Sequence, residues 1–312
     1  MPAKLPPTYV GLDISSDQLD YSRSENDEGR CAYTAEGIAE LIKKLQVLLH
    51  ARVICEASGG YEKRIVAELL QAGIEVCVVQ PGRVRAFAYA EGLMAKTDRL
   101  DARLLRRFGE KIEVRLAVPT DPALTTLREL LEHRRQLTRQ LIEVIGRLSL
   151  AGATLRKLLE KQRLFLEKQI AAVEGMIKDH IDQNPDLKQK SARLQQINGV
   201  GPVLSATILA YVPELGKIES NQLSALIGVA PHPDDSGLRN GPRHVRGGRA
   251  QVRRVLYMAA VCAARTNPIL RAFYERLRAN GKPAKVCLVA VMRKLVHLMN
   301  KLILNPDFSL VR

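Results

Sequence analysis

The sequence predicts an α/β domain at the N-terminus, a long helical segment in the middle and a mainly α-helical domain at the C-terminus. Three observations predict this order. Residues 8–112 alternate strand-like and helix-like patterns, residues 124–182 repeat apolar positions at helical spacing, and residues 191–312 are helical and basic. We expect domain boundaries at 1–118, 119–190 and 191–312, although the chain length alone suggests about two domains.

The first region predicts a sheet that contains parallel pairs of strands. TYVGLDIS predicts a strand, and QLDYSRS predicts its hairpin partner across Ser16 and Asp17. Helices are predicted over 35–49, 61–72 and 98–109, and strands are predicted in ARVICEA and IEVCVVQP. Strands that alternate with helices along the chain favour a parallel arrangement, because the helices serve as crossover connections.

The middle region predicts two long helices. Apolar residues recur three and four positions apart, and the phase of this pattern slips after Gly152. The slip indicates either a turn between two antiparallel helices or a stutter in an intermolecular coiled coil. Asn184-Pro185 predicts the end of the second helix. We expect this segment to assemble the chain into a homo-oligomer, a dimer or a tetramer.

The positive charge is concentrated in the third region. From Arg239 to Lys301 there are 15 Lys or Arg residues and one acid, Glu275, so this stretch carries +14 of the net +15. Its apolar residues alternate with the basic ones, which indicates a folded domain that binds a polyanion. Nucleic acid is the first candidate and an anionic membrane surface is the second. Scarce aromatic residues argue against a base-stacking platform.

Other sequence features concern the location of the protein. The apolar runs are too short and too interrupted to predict a membrane span, and the N-terminus lacks the apolar core of a signal peptide. The five cysteines form no CxxC pair, which predicts reduced, buried thiols in a cytoplasmic protein.

Four carboxylates of the first region form a pattern typical of phosphoryl transfer. Asp13 lies within the first strand, Glu56 ends the VICEA strand, and Asp98 and Asp101 share one helix face in KTDRLDA. Hard oxygen ligands hold Mg²⁺, which neutralises charge on a phosphodiester. The order of these acids predicts an RNase H-like, RuvC-type fold with a Mg²⁺ site.

Each acid taken alone has a commoner explanation. An Asp near a strand end is more often a turn or capping residue, and Asp98 could cap the helix that it begins. Asp17 is assigned to the turn. Asp20 could face the site, but we expect it to face solvent.

Two motifs of the third region predict contacts with phosphate. INGVGPVLSATILAYV matches a helix-hairpin-helix pattern, with Gly199 and Gly201 in its turn. An ordinary helical turn whose glycines serve packing remains an alternative. Ser236, which precedes a glycine in an arginine-rich loop, is a candidate nucleophile toward phosphate, although most Ser-Gly pairs in loops are simple turns. Six arginines near it are candidate nucleic-acid contacts: Arg239, Arg243, Arg246, Arg249, Arg253 and Arg254.

The motifs together resemble those of a known family, the DEDD-type insertion-sequence transposases of the IS110 family. The resemblance covers nearly the whole chain: YVGLDIS, CEASGGY, VVQPGRVRAFA and KTDRLDA at the N-terminus, and INGVGPVLSATILA, LIGVAPHPDDSG and RGGRAQVRRVLYMAA at the C-terminus. The family includes bridge-RNA-guided recombinases and resembles Piv-type DNA invertases.

The resemblance implies an enzyme that cuts and rejoins DNA. Asp13, Glu56, Asp98 and Asp101 match the family's Mg²⁺-binding tetrad, and Ser236 matches its serine, implied to form a phosphoserine link with cut DNA. It further implies donor and target double-stranded DNA, a structured non-coding RNA as partner, and a bacterial protein of the nucleoid. Because the tetrad and the serine lie far apart in sequence, we expect a composite site shared between subunits.

Three other functions stay open. A Piv-like invertase would recognise its DNA through protein alone. A structure-selective nuclease such as a junction resolvase would need the four acids but not Ser236. A nucleic-acid-binding protein descended from a transposase would need neither, although the intact tetrad and serine argue against that reading.

Overall fold

A computed structural model of the chain describes residues 6–92, 98–119, 121–232, 235–236, 239–240 and 243–309. For 98–100, 235–236 and 239–240 it describes the backbone only. The chain divides into two compact units, residues 1–120 and residues 121–312. The expected boundary at 118/119 lies beside this division, and the one expected at 190/191 falls inside a helix of the second unit.

A five-stranded mixed sheet forms the centre of the first unit. The strands are β1 (Thr8–Ile14), β2 (Gln18–Ser24), β3 (Asp27–Ala32), β4 (Ala51–Glu56) and β5 (Glu75–Val79). Their order in the sheet is β3-β2-β1-β4-β5. β1 pairs antiparallel with β2 and parallel with β4, and β4 pairs parallel with β5. The predicted parallel pairs are therefore confirmed.

Helices cover both faces of this sheet. They are α1 (Ala35–Gln46), α2 (Glu62–Gln71), α3 (Pro81–Ala90) and α4 (Asp98–Lys111). One core cluster joins α1 and α2 to Val10 and Leu12 of β1, and a second joins α3 and α4 to Ile54 of β4. Successive residues of a strand point to opposite faces, so Tyr9, Gly11 and Asp13 belong to the face covered by α4.

Two long antiparallel helices open the second unit, α5 (Pro122–Leu148) and α6 (Ala153–Gln183). Near their far ends, the His180 ring nitrogen Nε2 lies 2.8 Å from the Ala123 carbonyl oxygen, and Arg134 forms an ion pair with Glu174. The phase slip after Gly152 therefore marks the turn of an antiparallel pair, one of the two predicted arrangements. Asn184 follows α6 and precedes Pro185, as predicted.

The rest of the second unit is helical around a short hairpin. It contains α7 (Pro185–Leu194), α8 (Pro202–Tyr211), α9 (Ser220–Ile227), β6 (Asp235–Ser236), β7 (Arg239–Asn240), α10 (Ala250–Thr266), α11 (Pro268–Ala279) and α12 (Ala284–Leu304). One hydrophobic core runs from α5 to α12. α8 lies in its middle, and its residues from Leu204 to Ala210 are all buried.

Burial of the cysteines agrees with the prediction at four positions out of five. Cys31, Cys55, Cys77 and Cys287 are buried free thiols, but Cys262 is exposed. Cys262 lies on α10, on the side of that helix that faces away from the core formed by Ala259, Ala260 and Ala263.

Candidate active site

Two of the predicted acids lie at the carboxyl ends of neighbouring parallel strands. Leu12 of β1 pairs with Cys55 of β4, and Asp13 and Glu56 are the next residues of the two strands. Asp13 shares its face of β1 with Gly11, and Glu56 shares its face of β4 with Ile54. Gly11 and Ile54 both pack against α4. The backbone thus places Asp13 and Glu56 side by side on one face, and both are partly buried.

Gly11 allows α4 to approach that face closely. A Cβ atom on Gly11 would lie 1.8 Å from the Ala102 carbonyl oxygen and 2.6 Å from the Arg106 amide nitrogen. A Cβ on Gly109, near the other end of α4, would meet the Tyr9 ring. The helix therefore runs antiparallel to β1, and its first turn lies toward the end of the strand that carries Asp13.

The other two predicted acids belong to that first turn. Asp101 is partly buried in α4, and Asp98 is the first residue of the helix, but its side chain lies outside the described residues. Among the side chains that the structure describes, no three His, Cys, Asp or Glu are close enough together to hold a metal ion. The backbone positions of Asp13, Glu56, Asp98 and Asp101 therefore lie at one end of one sheet face. The carboxylates that the structure describes do not by themselves form a metal-binding group.

Asp20 does not face solvent, contrary to the prediction. It pairs directly with Asp13 across β1 and β2, so both lie on the face covered by α4. Asp20 is 6% exposed and accepts two hydrogen bonds from Arg30, from Nε at 2.8 Å and from Nη2 at 3.1 Å. The sequence could not reveal this pairing, because Arg30 comes from the edge strand β3.

Ion pairs fasten α4 to the β2–β3 hairpin. Arg103 pairs with Glu28, and the buried Arg106 pairs with Glu25 at 2.6 Å. A polar cleft of about 400 Å³ lies beside them, lined by Asp20, Arg30, Ala102 and Arg103 among others. These arginines position the helix that carries Asp98 and Asp101. Sequence analysis missed them, since only the fold brings residues 25–30 next to α4.

The candidate serine lies on a β-hairpin of the second unit. Ser236 of β6 pairs with Arg239 of β7, although both side chains lie outside the described residues. His232 and His244 close the base of this hairpin through two backbone hydrogen bonds of 2.9 and 3.2 Å. The carboxylates and the serine therefore belong to different units.

Close backbone contacts and two arginines hold the root of the serine hairpin. A Cβ on Gly228 would lie 2.3 Å from the Gly247 carbonyl oxygen, and both glycines have positive φ. Arg249 donates to both carboxylate oxygens of Glu214 at 2.6 Å, and Arg253 donates to the Gly247 carbonyl oxygen. Arg249 and Arg253, expected as nucleic-acid contacts, are thus engaged within the protein.

The remaining candidate arginines differ from these two. Arg243, Arg246 and Arg254 are exposed, and the side chain of Arg239 lies outside the described residues. Their exposure leaves these three guanidinium groups accessible, and a guanidinium is able to bind phosphate oxygens in bidentate fashion.

The two glycines of the predicted hairpin motif have different surroundings. Gly199 has a φ of +104°, and a Cβ there would lie 2.6 Å from the Ala263 Cβ. Gly201 is exposed, precedes α8 and has no atom within 4 Å of its would-be Cβ. Close packing against α10 therefore explains why a glycine is present at position 199. Packing does not explain Gly201, which has open space around it at the N-terminus of α8.

Known proteins match this chain over most of its length. Residues 191–275 match the family described as "Transposase IS116/IS110/IS902 family", and residues 10–151 match the DEDD-type transposase family of IS110 elements. The chain belongs to the IS110 family of insertion-sequence transposases. Members of this family are DNA-cleaving and rejoining enzymes, and their substrate is DNA.

Three relatives illustrate the range of the family. The "Pilin gene-inverting protein" of Moraxella lacunata is 27% identical over 93% of both chains. An uncharacterised 42 kDa protein of insertion element IS900 from Mycobacterium paratuberculosis is 27% identical over 47% of this chain and 37% of its own length. An uncharacterised 43.6 kDa protein of IS110 from Streptomyces coelicolor is 26% identical over 46% and 35%. Across the described part of this transposase, no helix is long and apolar enough to cross a membrane.

Proposed function

We propose that this transposase cuts and rejoins the DNA of its insertion sequence at a Mg²⁺ site formed by Asp13, Glu56, Asp98 and Asp101. The observation that supports this site best is the placement of Asp13 and Glu56 at adjacent strand ends, on the face where the first turn of α4 packs. The strand order β3-β2-β1-β4-β5 supports an RNase H-like, RuvC-type fold.

The chemical nature of the four acids fits the proposed metal. Carboxylate oxygens are the hard ligands that Mg²⁺ prefers, and Mg²⁺ bound there would neutralise charge on the phosphodiester. The protein's own contribution is the positioning of those carboxylates. Gly11 admits α4, and the Arg103–Glu28 and Arg106–Glu25 ion pairs hold the helix in place.

Ser236 is proposed as the nucleophile of the rejoining cycle. Its Oγ loses a proton and attacks the phosphorus, the P–O3′ bond breaks, and the released 3′ oxygen takes up a proton. A DNA 3′-OH then attacks the phosphoserine, and the serine hydroxyl is regenerated. The ester bond conserves the energy needed for rejoining, and the exposed Arg243 and Arg246 supply positive charge beside the transferred phosphate.

Assembly of the two centres requires more than one subunit in this proposal. The carboxylates lie in the first unit and Ser236 in the second, and we propose that the tetrad of one subunit meets the serine of another. Large apolar side chains exposed on α5 and α6 and in the turn between them support a homo-oligomer: Ile142 is 64% exposed, Leu150 90% and Leu158 62%.

The choice of DNA site has two candidate mechanisms. We propose guidance by a structured RNA encoded in the element. The third region is strongly basic, and its positive charge extends well beyond the arginines of the serine hairpin. The full-length likeness to a pilin gene-inverting protein favours a second candidate, inversion of DNA guided by protein alone. Sequencing of RNA that co-purifies with the protein separates them, since only the first requires one discrete, stoichiometric RNA.

An isosteric change at Asp13 tests the metal site. Asp13→Asn removes a charged ligand but keeps the shape, so we expect Mg²⁺-dependent recombination to fall by at least ~100-fold, because a ligated metal is worth several kcal/mol in the transition state. Binding of Mn²⁺ measured by electron paramagnetic resonance should weaken in parallel. Asp17→Asn is the matched control, since Asp17 is exposed in the β1–β2 turn and its carboxylate accepts hydrogen bonds from the neighbouring Ser15 and Ser16. Equal activity and Mn²⁺ affinity in the two variants would exclude Asp13 from the site.

A further inference from the structure

Helix α3 begins next to the proposed metal site. Glu56 of β4 pairs with Val79 of β5, and α3 begins at Pro81, two residues after Val79. The Ala57 amide donates to the Val79 carbonyl oxygen at 3.0 Å, which ties the two strand ends together. α3 therefore starts at the sheet edge that carries Glu56.

The inner side of α3 is fixed by apolar packing. Val84 is buried, and the Phe87 ring packs edge-on against Phe108 of α4, with ring centres 5.3 Å apart. The guanidinium carbon of Arg83 lies 5.5 Å from the centre of the Phe108 ring. These contacts determine which side of α3 faces inward and which side faces outward.

The outer face combines small residues with a cation and an aromatic ring. Gly82, Arg85, Ala86 and Tyr89 are spaced three and four residues apart, so they share one side of the helix, and all are exposed. Tyr89 is 71% exposed, a high value for a large aromatic ring. Residues 81–90 contain two arginines and no acid.

The next acid along the chain is itself paired and does not offset this positive charge. Glu91 follows α3 and pairs with Arg107 and with Lys111 of α4. Among the side chains that the structure describes, those of this face include a guanidinium group and an exposed ring but no carboxylate. Such a surface is complementary to a nucleic-acid strand, because phosphates bind Arg and a base can stack on a single ring without a platform of several.

We infer that the outer face of α3 is a strand-binding surface, on which Arg85 contacts a phosphate and Tyr89 stacks on a base or sugar of the DNA strand that leads to the carboxylates. From Pro81 to Tyr89 the helix rises about 12 Å, which corresponds to three or four nucleotide steps of about 3.4 Å. The inference rests on the proposed function for the identity of that strand. The contact itself is a binding property and can be measured without any cleavage.

Binding measurements on the full-length protein test this surface. The probe is fluorescent duplex DNA made from the sequence that flanks the gene, in Ca²⁺, with every variant built on Asp13→Asn so that no turnover interferes. Arg85→Gln should weaken binding about 5-fold, and the slope of log affinity against log salt should fall by about one. Lys43→Gln is the matched control, because it removes the same charge from α1 on the opposite face of the sheet. It should change affinity less than 2-fold.

The ring is tested separately. Tyr89→Ala should weaken binding by about 5-fold or more, and Tyr89→Phe should restore it, since stacking needs the ring and not the hydroxyl. Thermal unfolding should be unchanged in all of these variants, which alter exposed side chains only. Equal effects of Arg85→Gln and Lys43→Gln would overturn the inference.

Cross-linking identifies the bound strand. With Tyr89 replaced by photoreactive p-benzoylphenylalanine, irradiation should attach the protein to the DNA probe. An adduct with co-purified RNA alone, or no adduct, would refute a DNA surface on α3. Failure of the metal-site proposal would appear elsewhere, as full recombination by Asp13→Asn protein, and would leave these binding results interpretable.

Discussion

At the scale of single residues, small changes in side-chain size and burial decide what the candidate site can do. Gly11 is required because a methyl group at that position would occupy the space of the Ala102 carbonyl oxygen. Asp20 is withdrawn from solvent by Arg30, although it lies opposite Asp13. The identity of Asp13 and Glu56 as strand-end acids could be read from the sequence, but the role of Asp20 depends on a partner ten residues away on another strand.

The cysteines give a prediction at this scale. Burial raises the pKa of Cys55 to about 12 and of Cys77 to about 11, so at pH 8 fewer than about one in a thousand of either thiol is ionised. Cys262 is exposed. We expect a maleimide to label native protein once, at Cys262, and five times after denaturation, as measured by mass spectrometry.

The control for this labelling is Cys262→Ser, which should leave the native protein unlabelled. Rapid native labelling of Cys55 or Cys77 would contradict the burial of the sheet.

The sign of these pKa shifts also predicts how stability depends on pH. Because the folded state disfavours these thiolates, the free energy of unfolding should fall as pH rises above about 8.5, the pKa of an unfolded cysteine.

At the scale of elements, the periodicity of apolar residues predicted the strands and helices that have a strong pattern. It missed the strand and the helix whose pattern is weak. β1, β4 and β5 follow apolar runs and β2 follows the turn after β1, and the sequence located all four within a residue or two. β3 has the sequence DEGRCA, which lacks alternation, and becomes a strand only by pairing with β2 at the sheet edge. α3 is short and contains Gly82 and several alanines, so its pattern is weak, and packing on Phe108 decides its conformation.

The turn between α7 and α8 gives a prediction for a pair of glycines. Gly199→Ala should lower the free energy of unfolding by about 2–4 kcal/mol, because it combines a left-handed φ with overlap against Ala263. Gly201→Ala should cost less than about 1 kcal/mol, since its φ is −89° and the space around it is open. Urea denaturation of both variants measures the difference.

Equal costs at these two positions would contradict the packing of the α7–α8 turn against α10. The same pair separates the two interpretations of the motif. If Gly201 lies against a DNA phosphate, Gly201→Ala should weaken DNA binding while stability is preserved, whereas a glycine without that contact would leave both unchanged.

At the scale of the whole molecule, charge and chemistry are divided between two units. The first unit carries the four acids that we propose as metal ligands, and the stretch from Arg239 to Lys301 in the second carries +14 of the net +15 charge. This distribution of charge could be predicted from the sequence, because charged residues can be counted without knowledge of the fold. The anchoring of the serine hairpin by Arg249 and Glu214 was not evident, because those residues lie 35 positions apart and meet only through the fold.

The most direct test of the account is a search for the covalent intermediate. Wild-type protein is incubated with Mg²⁺ and flanking DNA that is nicked beside the cleavage position, so that the cut end diffuses away and rejoining is blocked. The adduct is then isolated in detergent, digested and mapped by mass spectrometry. We predict a phosphodiester link at Ser236 that is absent in Ser236→Ala and in Asp13→Asn protein. DNA cut to completion by Ser236→Ala protein, with no adduct at any residue, would contradict it and would favour a metal-dependent nuclease.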